Sequence, residues 1–284
     1  MYLADYHLHT TCSPDGKLTA AQIAEIALAR GLQEICITDH LDTIFWNTYE
    51  PRTDFDWPAL QRQIDEARTL YGDRLVIRMG AELGEATISP ERADILLQNA
   101  PKLDFIIGSV HTASKKFDYF DLYYMEKRDM DYYRAIMDDY LDETMKLVRY
   151  GRFHVLGHLT LPLRYIKNNT GLSLTFDDRM DRLEEIFSLM IPRGIGLELN
   201  TNRGSDPLPS ANILRLYRQM GGEIVTIGSD AHVPEHIGLA AESCQRLLRE
   251  TGWQYFAAYE QGQPIFDRLL PAPQGDTNET TFYL

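Results

Sequence analysis

Seven short apolar runs, each followed by an amphipathic stretch, recur from one end of this chain to the other. That alternation constrains the fold more than any single motif. The runs are MYLADYH (1–7), EICITD (34–39), LVIRMGAE (75–82), LDFIIGSVH (103–111), FHVLGH (153–158), GIGLELN (194–200) and EIVTIGSD (223–230). They are continuously apolar, as strands buried on both faces of a parallel sheet are. Helical patterns lie between them. Thr19 can cap a helix ending at Gly31, Pro58 opens one that stops before Gly72, and Ser89 with Pro90 opens a third. Longer helices are predicted over about 129–149, 178–193 and 209–220, with two more after 235. Such a series reads as a parallel α/β barrel or a doubly wound sheet.

A barrel of this kind takes up most of 284 residues, so one domain is expected over 1–270 with a polar tail over 271–284. Phe282, Tyr283 and Leu284 in that tail have the character to dock on the body. Two connections, 41–56 and 112–128, are too long for routine strand-to-helix loops. Both leave the C-terminal end of a strand and both are rich in aromatic residues.

The same strand ends collect the chemistry. The first run gives His7 and His9, the second Asp39 and His40, the third Glu82, the fourth His111 and the fifth His158. Glu198 and Asn200 follow from the sixth, and Asp230 and His232 from the seventh. Six of the eight histidines therefore sit at strand ends; His154 begins a strand and His236 falls in the following helix, so both are expected to be structural or exposed. Each residue alone has an ordinary reading as a capped turn or a satisfied core histidine. Their joint occurrence does not, because all strand ends of a parallel barrel surround one mouth, where such proteins carry their chemistry.

Within HLH, residues i and i+2 of a strand share a face, so His7 and His9 converge. Imidazoles and carboxylates without thiolates suit divalent ions such as Zn²⁺, Mn²⁺ or Fe²⁺. Counting Asp15 from the turn after HLHT, the candidate ligands are His7, His9, Asp15, His40, Glu82, His111, His158, Asp230 and His232. Nine is too many for one ion and fits two or three, with Glu82 able to bridge. Multi-ion clusters commonly serve phosphate-ester hydrolysis, one ion activating water while others neutralise oxygens.

Charge and cysteines narrow the partners. A net charge of −14 argues against broad binding to nucleic acid or anionic membranes. No run reaches the roughly 18 apolar residues of a membrane span, and no signal-peptide pattern opens the chain. Cys12, Cys36 and Cys244 are odd in number and lack CxxC spacing, so a reducing, cytoplasmic setting is expected. Nothing in the chain sets an oligomeric state.

Taken in order, HLHT (7–10), TDH (38–40), GAE (80–82), SVH (109–111), LGH (156–158) and GSDAH (228–232) resemble the polymerase-and-histidinol-phosphatase (PHP) family. The resemblance implies a distorted seven-stranded (β/α)7 barrel with a trinuclear metal centre at its C-terminal mouth. Carried onto this sequence, one ion takes His7, His9, Glu82 and Asp230. A second shares Glu82 and adds His111 and His158. A third takes His40 and His232, with Asp15 where many relatives have a histidine, a change that favours a harder ion there. Glu82, Asp230 and His232 are the residues expected to carry catalysis.

Within the family, LGHLTLPLRY (156–165), ELNTNRG (198–204), PSANILRLY (209–217) and the insertion around 112–150 resemble the histidinol-phosphate phosphatase branch. That implies a metal-dependent phosphomonoesterase acting on histidinol phosphate in histidine biosynthesis. The rivals are a phosphatase for another small monoester, such as a sugar or nucleotide phosphate, and a non-catalytic metal-binding module. Arg164 and Arg203, just beyond their strands, are expected to grip phosphate oxygens. Glu198 is expected to meet the substrate ammonium. Phe45, Trp46, Tyr49, Phe117, Tyr119, Phe120, Tyr123 and Tyr124 are candidates to face its ring, although loop aromatics more often pack a loop onto the barrel.

Overall fold

Parallel strands joined by helical crossovers need cover on both faces, and the seven apolar runs pair in the order in which the chain makes them. The structure is a computed structural model and describes residues 2–45 and 48–269. Trp46 and the tail from residue 270 onward, with Phe282, Tyr283 and Leu284, lie outside the described residues. The strands are β1 (Ala4–Leu8), β2 (Glu34–Ile37), β3 (Val76–Gly84), β4 (Phe105–Ser109), β5 (Val155–Leu156), β6 (Gly196–Asn200) and β7 (Val225–Gly228). Just past their ends β1 and β7 also meet, through His9 N–H to Ala231 O at 3.0 Å and Ala231 N–H to His7 O at 3.2 Å. Asp5 fastens the same seam, accepting from Ser229 N–H at 2.8 Å and Gly238 N–H at 2.7 Å. The sheet is a nearly closed barrel, which decides between the two architectures.

Eight helices surround it among the described residues: α1 (Ala20–Ala29), α2 (Trp57–Tyr71), α3 (Pro90–Gln98), α4 (Met130–Tyr150), α5 (Leu161–Thr170), α6 (Met180–Met190), α7 (Ala211–Gln219) and α8 (Ala241–Glu250). Thr19 and Gln22 form a reciprocal capping box at α1. At α3 the Ser89 hydroxyl donates to Glu91 instead of capping the backbone. The sequence pattern leaves α5 unassigned. Its start is marked by Pro162 in the first turn and its end by Gly171, which takes the left-handed conformation after Thr170.

The expectation of two helices after residue 235 is corrected. Among the described residues only α8 is an α-helix there; the second segment is a hairpin of β8 (Tyr255–Glu260) and β9 (Gln263–Arg268). Gln261 and Gly262 both have positive φ, at 52° and 79°, the two-residue turn that matches strand twist in a hairpin. YFAAYE is also rich in aromatic residues that suit a half-buried pleated surface.

This hairpin covers the bottom of the barrel, around the strand N-termini. Tyr259 N–H donates to Tyr6 Oη at 2.8 Å, and the Tyr6 hydroxyl donates to Glu34 at 2.6 Å. His154 belongs to this floor and not to the mouth. Its Nδ1 accepts from Ile106 N–H at 2.8 Å, and its ring lies against Phe105 and Tyr259. Burial lowers its pKa from 6.5 to about 4. Unfolded chains bind the extra proton between those values, so this group supports the fold above pH 6.5 and the support fades as pH falls through 4. The linkage is worth up to about 3 kcal/mol. His154→Asn keeps an acceptor for Ile106, so urea unfolding should show a shallower stability loss from pH 6.5 to 4 than in the wild type. Equal slopes would contradict the assignment.

Candidate metal centre

One carboxylate organises the barrel mouth. Glu82 lies within the nine-residue β3 and is completely buried. Its Oε1 accepts from Ser109 Oγ at 2.6 Å and lies 2.9 Å from His158 Nε2 and 3.1 Å from His111 Nε2. Its Oε2 lies 2.9 Å from His40 Nδ1, 3.2 Å from His7 Nε2 and 3.5 Å from His9 Nε2. Five imidazoles from four strands and their loops thus face a single carboxylate. A second carboxylate, Asp230, stands on the far side of the pair from β1, with Oδ1 3.5 Å from His9 Nε2 and 3.8 Å from His7 Nε2.

Local structure explains the convergence. His7 and His9 occupy alternate positions, so their rings share a face with centroids 5.1 Å apart. β2 pairing continues past its last residue through a parallel bridge between His40 and Glu82, which carries that histidine inward. Asp39 holds the loop after β1, accepting from Thr10 N–H at 2.7 Å and from Ser13 Oγ at 2.6 Å. The Ser13 oxygen in turn accepts His40 N–H at 3.0 Å and lies 3.1 Å from His9 Nδ1. His158 and Asp230 both take positive φ, 22° and 57°, so the chain accepts backbone strain where these side chains must turn inward.

Glu82 and Asp230 are both held ionised. Burial alone would raise each pKa, but His7, His111 and His40 around Glu82, and Arg164 and His7 beside Asp230, bring both well below the carboxylate range. The histidines divide. Burial opposes charge on His7, yet Glu198, Glu82 and Asp230 outweigh it and raise its pKa; burial with His232 and His40 lowers that of His9. The donor set fits a divalent cation. His7 Nε2 and His9 Nε2 are buried and have no hydrogen-bond partner, an arrangement that is costly unless a ligand occupies the space they face. Among the described residues, close ligand groupings are His7–His9–Asp230, His7–Glu82–His158, His40–Glu82–His111 and His9–His40–His232.

The residues expected from sequence fall into three sets. His7, His9, His40, Glu82, His111, His158, Asp230 and His232 are brought together. Asp15 is at the rim, 48 % exposed, with its oxygens 3.2 Å from His232 Nε2 and 3.8 Å from His40 Nε2. The substrate contacts require two corrections. The buried Arg164 does not present a free guanidinium to the mouth. It donates to Asp230 at 2.5 Å, Asn200 at 2.7 Å and Asn202 at 2.8 Å, because α5 begins directly behind Asp230. Glu198 likewise does not reach the mouth; it lies beneath His7, 2.6 Å from Nδ1. Arg203 does line the mouth, with Tyr123, Tyr124 and Tyr165 in a cavity of about 320 Å³ floored by the histidines. Phe117 packs on Tyr132, and Phe45 faces Arg52.

Sequence reasoning missed Asp42 and Glu85, which group with His111 on its outer side. Glu85 accepts His111 N–H at 2.9 Å. Its signal was its position three residues after Glu82 at the same strand end. Tyr165 was missed with α5. Cys12 accepts from Gln63 and stands apart from every ligand grouping.

A model of the PHP domain matches residues 5–202. The chain belongs to the PHP domain family. The match ends before β7, so Asp230 and His232 join the family residues through the barrel geometry. A histidinol-phosphatase of Lactococcus lactis is 27% identical over 262 residues, covering 90% of this chain and 93% of that protein. A Thermotoga maritima protein named probable histidinol-phosphatase is 29% identical over 263 residues, covering 90% and 95%. The crystal structure of histidinol phosphate phosphatase from Lactococcus lactis, complexed with zinc, L-histidinol and phosphate, superposes with a TM-score of 0.77 at 22% identity. It covers 93% of this chain and 98% of that one. At that identity the likeness establishes the PHP barrel fold.

The geometry gives Glu82 contacts to five histidines and Asp15 contacts to two at the rim. Glu82→Ala should therefore lose most bound transition metal on dialysis, whereas Asp15→Ala should keep the greater part. Metal analysis by mass spectrometry checks this; wild-type metal content in Glu82→Ala would contradict it.

Proposed function

We propose that this PHP protein is a metal-dependent phosphomonoesterase that converts histidinol phosphate and water to histidinol and phosphate, a step of histidine biosynthesis. The observation that carries the reading is the focus of five imidazoles and two ionised carboxylates on one buried point below an open cavity. The names of the Lactococcus and Thermotoga relatives support the choice of substrate. Two or three divalent ions are assigned to the cluster, with zinc, manganese and iron the candidates. His7, His9, Glu82 and Asp230 hold the first, and Glu82, His111 and His158 the second. His40 and His232 with Asp15 hold the third. Such ions lower the pKa of water toward about 7 and neutralise phosphate oxygens.

The chain's own residues do the rest. Arg203, the mouth arginine, is assigned to the phosphate, where a planar guanidinium can grip two oxygens at once. Arg164 holds Asp230 in place from behind. Asp121 is the acidic side chain at the cavity wall that is not assigned to an ion, and it can meet an ammonium in place of Glu198. Tyr123, Tyr124 and Tyr165 supply the aromatic wall for a flat ring. The partner is a small phosphorylated molecule, and no helix among the described residues is long and apolar enough to cross a membrane.

A second reading, a phosphatase for a different small monoester, is favoured by a Photobacterium profundum relative, named only as a probable phosphatase, at 26% identity. A substrate panel separates the two. With identical metal loading, histidinol phosphate should exceed a short alkyl phosphate and a sugar phosphate by at least about 100-fold in kcat/KM, roughly 2.7 kcal/mol of differential transition-state binding. Arg203→Lys should lower kcat/KM at least about tenfold for every member. Equal rates across the panel would leave the hydrolytic chemistry and defeat the substrate assignment.

A further inference from the structure

β6 is the one barrel strand from which no candidate metal ligand comes. It nevertheless points two polar side chains into the site, Glu198 and Asn200, both completely buried and on one face by strand alternation. Glu198 Oε1 lies 2.6 Å from His7 Nδ1. Its Oε2 accepts the backbone N–H of His158 at 2.6 Å and the Asn200 amide at 3.2 Å. Asn200 Oδ1 accepts Arg164 Nη2 at 2.7 Å, and Arg164 Nη1 reaches Asp230 at 2.5 Å. One hydrogen-bonded chain therefore runs from beneath His7 to behind Asp230, and it holds the backbone of His158 on the way.

We propose that Glu198 is a positioning residue that sets the metal affinity of this site by holding His7 and His158 in their ligating arrangement. The proposal rests on the metal-centre reading above and adds a role for a residue that touches no ion. An ionised carboxylate can only accept, so the short contact to Nδ1 requires the proton of His7 to be on that nitrogen. In neutral His7, Nε2, the atom that faces Glu82 and Asp230, carries the lone pair, which a cation takes in place of a second proton. Carboxylates placed behind metal-binding histidines orient the ring and increase its basicity, and their loss typically costs 10–100-fold in affinity. Here the same carboxylate also holds His158 at its positive φ, so two of the assigned ion positions depend on it. The packing leaves little room for alternatives. A Cβ built at Gly228 would overlap Glu198 Oε1 and His7 Cβ, which accounts for the glycine in GSDAH.

Glu198→Gln is the test, because it preserves shape while its amide offers one acceptor oxygen where three donors, from His7, His158 and Asn200, converge on two. Zinc is titrated into chelator-stripped protein in competition with a chromophoric chelator. The variant should bind zinc 10–100-fold more weakly, with kcat recovering toward the wild-type value at saturating zinc and KM changed by less than about threefold. A merely structural role would lower Tm in stripped and loaded protein alike without changing zinc affinity. Equal affinity in the two proteins would overturn the proposal while leaving the metal centre intact; failure of the wild type to bind zinc would overturn the underlying reading. If the variant does not fold, long-range proton–nitrogen spectra of zinc-loaded wild type decide the matter. A proton on His7 Nδ1 is expected there, and a protonated Nε2 contradicts the role of Glu198.

Discussion

A carboxylate removed from water must be surrounded by donors or positive charge, and Glu82 imposes that requirement on the whole barrel mouth. Its oxygens face His7, His9, His40, His111 and His158, which arrive from β1, β2, β4 and β5 or the turns just beyond them. No single strand or helix can supply that set. Only a sheet curled far enough to bring its first strands opposite its later ones can, and the seam between β1 and β7 completes the curl through Asp5 and Ala231. The unpartnered nitrogens of His7 and His9 remain directed at the same space, so the cluster is built around a cation as much as around a proton balance.

Stability and strain are separated along the barrel axis. The floor is closed by apolar packing and hydrogen bonds, with β8 laid across it and Tyr6, Tyr259 and His154 locked together. The mouth carries the costs, with positive φ at His158 and Asp230, buried charges and long aromatic loops. Local rules broken at one end of a fold while the other end satisfies them are the pattern of a functional site supported by a stable scaffold.

Much of this was legible in the amino-acid order. Continuous apolar runs identified the parallel strands, and the histidines at their ends identified the mouth. Depth was not legible. Glu198 and Asn200 look like strand-end residues in the same way that His7 and His9 do, yet the β6 residues lie beneath the cluster and support its ligands. A linear pattern reports which face a strand residue takes and not how far from the rim its side chain stops. Arg164 was misplaced for a related reason: with α5 unrecognised, its guanidinium could not be assigned to the back of Asp230. The terminal hairpin was hidden because YFAAYE is as apolar as a helix face over so short a span, and only the paired positive φ of Gln261 and Gly262 decides for strands.

The central claim is that Glu82 and the surrounding imidazoles hold metal ions at the barrel mouth. Anomalous diffraction from crystals of the metal-loaded protein, collected on both sides of the absorption edge of the bound element, tests it most directly. The account predicts more than one anomalous peak in the space between His7, His9, Glu82 and Asp230 and their neighbours, at about 2.0–2.1 Å from the histidine nitrogens if zinc is bound. Density free of anomalous peaks there, in protein that retains full hydrolytic activity, would contradict it.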